Sequence, residues 1–472
     1  MMPHLRFALS SLALLALPAY AQDAAPIPDE VSETVDGLRE RGLSDDVGYQ
    51  FVEDLTTKVG PRLAGSDAEA RARDFSVSEL EALGFENVRI ETFEIPYWSR
   101  VTESAEITSP SPQKLTITAL GGSTSTPEGG VTAEIVRFDS MAALRAADDS
   151  IVEGKIVFVD EKMIRTQDGS GYGMAVRKRR NCAKVTSEKG GVACLIRSVG
   201  TQTSRFPHTG MMARGEAVGA GPAAALSPPD ADQLTRLLEW QPVTVHLDIQ
   251  VETKTRVESG NVVAEVTGRS APDEIVLIGC HLDSWDLGTG AIDDGAGCGI
   301  VVGAAKMILD LPEAPNRTVR VVLYGSEEVG LLGGHAYARA HASELDQHIL
   351  ASESDFGADK IWKFDTRFGE GALPYARAIQ AELAPLGINP GDNNAGGGPD
   401  ISMLPRAGVP VVSPRQNGWD YFDLHHTPDD TLDKIDPESL RQNVAAYAVF
   451  TYLAAEMDWD FRAMPKEAIT GE

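Results

Sequence analysis

Cysteine is scarce: Cys182, Cys194, Cys280 and Cys298 are the only four in a chain of 472 residues. So few exclude a disulfide-built scaffold, and the fold must rest on a hydrophobic core. Cys182 and Cys194 are close enough in sequence to bridge, but small buried thiols account for them equally well. Cys280 reads as a core residue pointing away from any site, and no disulfide is expected. Positive charge is short as well, with 42 Lys and Arg against 70 Asp and Glu, a formal charge of −28. Such a field repels nucleic acid and anionic membrane. An acidic substrate entering it needs a local positive centre, such as a metal. Long apolar runs are missing too, since none after the N-terminus reaches the ~18 residues of a spanning helix.

The one N-terminal run, residues 7–18, follows Arg6 and precedes Ala19-Tyr20-Ala21. This is the form of a secretory signal peptide cleaved after Ala21, and it predicts a periplasmic or extracellular protein. Residues 22–46 are polar and weakly helical, an N-terminal arm or pro-segment. A globular domain starts at residue 47, with the loop VGPRLAGS (59–66), a helix and the strand VRIETFEIPYW. Residues 105–257 change character, carrying short β-type runs and one helical stretch near 175–190. Within them PHTG (207–210) reads as a loop with a lone histidine, His208. Arg177-Lys178-Arg179-Arg180 reads as a solvated helix face. From 258 to 472 strands and helices alternate as in a doubly wound sheet. The β-rich module of 105–257 is therefore inserted into one α/β domain built from 47–104 and 258–472.

Chemistry concentrates in that second part. Four strand ends finish in metal-type ligands: CHLD (280–283), YGSEEVG (324–330), SESDFG (352–357) and FDLHHTPDDT (422–431). A fifth group, AIDDGAG (291–297), lies in the loop after the first. In open α/β sheets the carboxyl ends of the strands are where ligands bind. Carboxylates mixed with imidazoles favour zinc or a similar divalent transition ion. Two ions suit the number of ligands better than one. With Asp293 bridging, His281 and Asp355 complete one ion, and Glu328 and His426 the other. Such a pair polarises a carbonyl and yields hydroxide near neutral pH. Asp283 lies two residues from His281 on the same strand face, so its carboxylate is placed to hold the His281 ring. In Glu327-Glu328 the side chains diverge, leaving one free to move protons.

These motifs resemble those of the zinc aminopeptidase/carboxypeptidase family M28, and HLDSWDLGTGAIDDGAG, YGSEEVGLLG, ESDFG and HHTPDDT carry the likeness. VGPRLAGS, IPYW, PHTG, GGPDI and YFDLHHT place it nearer the carboxypeptidase branch. The resemblance implies a phosphorylase/hydrolase-like α/β peptidase domain with an inserted protease-associated domain, and a possible homodimer. It implies two Zn²⁺ per chain on His281, Asp293, Glu328, Asp355 and His426. His426 is preferred to His425 because the family's ligand histidine directly precedes Thr or Ser. It implies Glu327 as general base, with Asp283 beside it in the catalytic set, and a cis peptide between Asp293 and Asp294. Cys280, Cys298 and the basic run depart from the family pattern without touching a ligand position. Asp400, in the glycine-rich loop NNAGGGPDIS, and Tyr421 are candidate substrate contacts. The expected function is a secreted dizinc exopeptidase acting on dipeptides or short peptides. An aminopeptidase with the same metals is the alternative, and a non-catalytic binding protein of this fold a more distant one.

Overall fold

The computed structural model describes residues 24–212 and 220–462. The signal peptide expected at 1–21 lies outside them. Two long antiparallel strands, Glu86–Ser109 and Thr244–Val266, form a ribbon through the whole molecule. On one side of it the sheet runs through Arg317–Tyr324, Ala271–His281, His348–Glu353, Val411–Gln416 and Ile361–Arg367. On the other it runs through Val131–Phe138, Ile156–Val159, Ala193–Arg197, Ala223–Leu226 and Ile117–Ala119. The sheet is mixed. Ala271–His281 pairs in parallel with both its neighbours, while Ile361–Arg367 and Val411–Gln416 are antiparallel. Residues 275–281 are all buried, which is why EIVLIG reads as a continuous apolar run rather than an alternating one.

Helices Val47–Lys58, Ala296–Leu309 and Pro437–Glu456 cover the metal-ligand half. The first two approach so closely that a Cβ on Gly299 would strike the carbonyl of Gly48. Glycine there is a packing requirement. Within the N-terminal arm, Asp29–Gly42 is helical and buries Val35 and Leu38 in the same core.

The module between the ribbon strands carries more helix than its composition suggests. Besides Ser170–Glu188 it holds Met141–Ala146, Asp149–Val152 and Pro228–Trp240. The last begins at Ser227, whose hydroxyl accepts from the Asp230 N–H, with proline in its first turn. That is a helix-start signature that a reading by β-type runs passes over. The module is α/β.

Both cysteine pairs are bridged, contrary to the expectation of free thiols. Cys182–Cys194 spans a Cα separation of 6.1 Å and Cys280–Cys298 one of 5.1 Å. Each pair joins a helix to the strand it covers, so helix-on-sheet packing brings distant thiols within bridging range. No helix among the described residues is long and apolar enough to cross a membrane.

Candidate active site

The Asp293 carboxylate sits between two groups of side chains. Its Oδ1 lies 3.1 Å from His281 Nε2, and its Oδ2 lies 3.3 Å from His426 Nε2. His281 Nε2 is 3.4 Å from Asp355 Oδ1, and His426 Nε2 is 3.0 Å from Glu328 Oε2. The five predicted ligands thus converge as two overlapping sets that share Asp293. His425 stacks on His426 with ring centroids 3.5 Å apart, and its Nε2 is 3.7 Å from Asp293 Oδ2. Only His426 also reaches Glu328.

Asp293 Oδ2 and Glu328 Oε1 are buried and accept no hydrogen bond. Buried carboxylate oxygens of this kind are costly unless a cation or donor meets them. Two imidazole nitrogens and three carboxylates facing one another are a zinc-type donor set, so the residues fit a pair of such ions. The local field has the same sense. Despite burial, Glu328 and Asp293 push the His426 imidazole up to about 9. Burial likewise opposes ionisation of Asp293, but the His281 and His426 imidazoles that face it hold it well below the usual carboxylate range.

Residues around the ligands fix their directions. His281 Nδ1 is 2.9 Å from the backbone carbonyl of Asp283, so Nδ1–H donates there and Nε2 faces Asp293. The expectation that the Asp283 carboxylate holds this ring is corrected, because Oδ1 lies 3.8 Å away. That carboxylate instead accepts from the backbone N–H groups of Glu327 (2.9 Å) and Glu328 (3.3 Å). The strand ends at His281, so strand alternation no longer sets Asp283, and its carbonyl and carboxylate serve different partners. Asp294 accepts from the His281 N–H at 3.1 Å and the Gly297 N–H at 3.1 Å, and the Asp293–Asp294 peptide is cis.

Several supporting residues escape a motif reading aimed at ligands. Asp430, four residues after His426, accepts from the Ile292 N–H at 2.6 Å and the Asp293 N–H at 3.3 Å. Arg62, fully buried, donates to the carbonyls of Leu282, Thr289 and Gly290 at 2.5, 2.6 and 2.8 Å. VGPRLAGS therefore ties the ligand loop to its strand. Trp285 Nε1–H donates to Glu328 Oε2 at 2.6 Å. The quoted motifs contain all three, but nothing in their spacing says what they bind.

The inserted module forms one wall. The Thr209 N–H donates to the His426 carbonyl at 3.1 Å, and His426 Nδ1 lies 3.1 Å from the Thr209 carbonyl. His208 is buried, not a loop-surface histidine, and its Nδ1–H donates to the His425 carbonyl at 2.6 Å. Burial pushes this imidazole down to about 3, so it stays neutral. The basic run is corrected in the same way. Lys178 is fully buried with Nζ on the Glu161 carbonyl at 2.7 Å, and burial pushes its ammonium down to about 7. Arg179 is buried with Nη2 on the Tyr172 hydroxyl at 2.6 Å and Nη1 3.4 Å from His426 Nδ1. Only Arg177 and Arg180 face solvent. One helix carries both kinds because it lies between the module's sheet and the cleft.

The cleft measures about 610 Å³ and is lined by Asp293, Glu327, Glu328, Asp355, His426, Tyr421, Arg179 and Arg180, among others. Burial, reinforced by the Asp355 and Glu328 carboxylates, raises the Glu327 carboxyl well above its usual range. Tyr421 lines the cleft as expected, its ring 4.7 Å from that of Phe356. Asp400 does not line it. It is 2% exposed, with Oδ1 on the Gly334 N–H at 3.2 Å and its own N–H on Glu353 Oε2 at 2.9 Å. It braces the loop and does not reach a substrate.

Comparison with known proteins follows the same lines. Residues 261–451 match the model of Peptidase family M28. Carboxypeptidase Q of Mus musculus is 34% identical over 432 residues, which cover 91% of this chain and 90% of the relative. The chain belongs to peptidase family M28. Among solved M28 structures, a Peptidase M28 precursor from Shewanella amazonensis is 50% identical. It superposes with a TM-score of 0.91, covering 93% of this chain and 100% of its own. BSAP, a zinc aminopeptidase from Bacillus subtilis, shares the fold at a TM-score of 0.65 and 21% identity, covering 87% and 95% of the two chains.

Proposed function

We propose that this M28 metallopeptidase is a periplasmic or extracellular dizinc exopeptidase that hydrolyses dipeptides or short peptides, as a carboxypeptidase or dipeptidase. The observation that carries it is the Asp293 carboxylate, which turns one oxygen to His281 and the other to His426. His281, Asp293 and Asp355 would hold one ion, and Asp293, Glu328 and His426 the other. When bound, such a pair supplies Lewis acidity and acidifies a water.

The protein's own groups do the rest. Asp283 fixes the Glu327 backbone, and burial raises the Glu327 carboxyl above its usual range, the direction that favours taking up a proton. Its carboxylate oxygen takes a proton from the attacking water as the new C–O bond forms. The same oxygen then returns that proton to the amine nitrogen as the C–N bond breaks. The module of 105–257, protease-associated in type, closes one side of the cleft and steadies His426. Two disulfides accord with an oxidising compartment.

Elemental analysis combined with a peptide library blocked at either end tests this. Two metals per chain and cleavage that requires a free C-terminus are expected. Saturation at one metal with full activity overturns the dizinc reading. Cleavage of C-blocked peptides only makes the protein an aminopeptidase, in line with the fold it shares with BSAP.

A further inference from the structure

The metal ligands leave open which end of a peptide the cleft reads, and the module supplies an answer. Arg179 and Arg180 are the arginines lining a cleft whose other ionisable lining includes Asp293, Glu327, Glu328 and Asp355. Arg179 is committed to Tyr172 and the Thr209 carbonyl. Arg180 is exposed at the cleft, and among the described residues no carboxylate pairs with it. Other exposed arginines, Arg177 and Arg406 among them, also lack a carboxylate partner, and what sets Arg180 apart is its place on the cleft lining. Arg179 spends its guanidinium on its two neutral partners, so Arg180 is the cleft-lining arginine whose N–H groups have no hydrogen-bond partner among the described residues.

We propose that Arg180 binds the free C-terminal carboxylate of the substrate, making it the residue that selects a carboxypeptidase or dipeptidase outcome. This rests on the peptidase reading above. A guanidinium presents paired N–H donors that match a carboxylate, and among the described lining residues no other guanidinium is left unengaged. An N-terminal ammonium gains nothing from it. Arg179, one residue earlier and clamped by its own hydrogen bonds, fixes the helix turn from which Arg180 projects.

The test compares a free-acid dipeptide with its C-terminal amide on the zinc-loaded enzyme. Wild type should prefer the acid by about 10- to 100-fold, the worth of one charged hydrogen-bonded contact. Arg180→Gln should erase that preference through KM, and Arg180→Lys should restore part of it. Calorimetric titration of the same acid into Glu327→Gln protein, with and without Arg180→Gln, reads binding without turnover. A matching loss of affinity is expected there. An acid preference that survives Arg180→Gln, or a wild type that favours the amide, overturns the proposal and leaves the metallopeptidase reading standing. If neither peptide is cleaved, the peptidase reading fails and the titration alone decides for or against Arg180.

Discussion

The Asp283 carboxylate holds the turn that presents Glu327, accepting its backbone N–H at 2.9 Å and that of Glu328 at 3.3 Å. Asp283→Asn keeps one acceptor oxygen and replaces the other with a donor. One of the two N–H groups then loses its partner while the His281 ring keeps its carbonyl. Activity should fall by roughly 10- to 100-fold, as for other groups that orient metal-site residues. Metal content should fall less than for any ligand substitution. A variant that is fully active, or one that loses metal as completely as His281→Ala, speaks against this role.

The adjacent glutamates should separate cleanly. Glu327→Gln retains size but cannot accept a proton, so kcat should drop by about 10²–10⁴ with both metals retained. Glu328→Gln touches His426 and Trp285, and its loss should track lost metal and recover partly with added zinc. Metal analysis beside kinetics settles the assignment. The opposite pattern exchanges the two roles.

Acid sensitivity should have a contribution from His208. Its folded value is about 3, against an ordinary value of 6.5, because burial disfavours the imidazolium. Below about pH 6.5 the unfolded chain binds a proton that the folded chain refuses. Stability contributed by this group is therefore complete above pH 6.5 and lost as pH falls toward 3, at up to about 1.4 kcal/mol per pH unit. In EDTA, urea unfolding of wild type should steepen between pH 6 and 4 relative to His208→Gln. Parallel curves for the two proteins would remove the argument.

Loss of the Cys280–Cys298 bridge should cost stability. It closes a loop of 18 residues in sequence separation, and bridges of that span contribute about 2–4 kcal/mol, mainly by restricting the unfolded chain. Replacing both cysteines with alanine should lower the thermal midpoint by several degrees in the metal-free protein. A midpoint unchanged within error would show that the helix and strand hold each other without it.

How much of this was legible in the residues depended on whether chemistry or packing placed them. His281, Asp293, Glu328, Asp355 and His426 stood out because metal-binding residue types at successive strand ends are rare. The parallel βα order supplied the edge where they meet. Lys178 and Arg179 were misread because charge in a short run suggests solvent, and only the module's docking shows which side of the helix is covered. The disulfides depend on the same layer packing. The two roles of Asp283 depend on the strand ending at His281, beyond which alternation no longer says where its carbonyl and carboxylate turn. Asp400 was drawn toward substrate by its glycine neighbours, yet its N–H and carboxylate are both used in bracing a loop.

The contact between Thr209 and His426 joins residues 217 positions apart, and His426 is the last of the proposed ligands along the chain. Synthesis proceeds from the N-terminus, so the module is complete long before the histidine it steadies has been made. A partly synthesised chain therefore holds the support before it holds the histidine. On the proposed reading, hydrolytic competence is the final property this molecule acquires, because the side chains that would hold the metals are incomplete until residue 426 has been made.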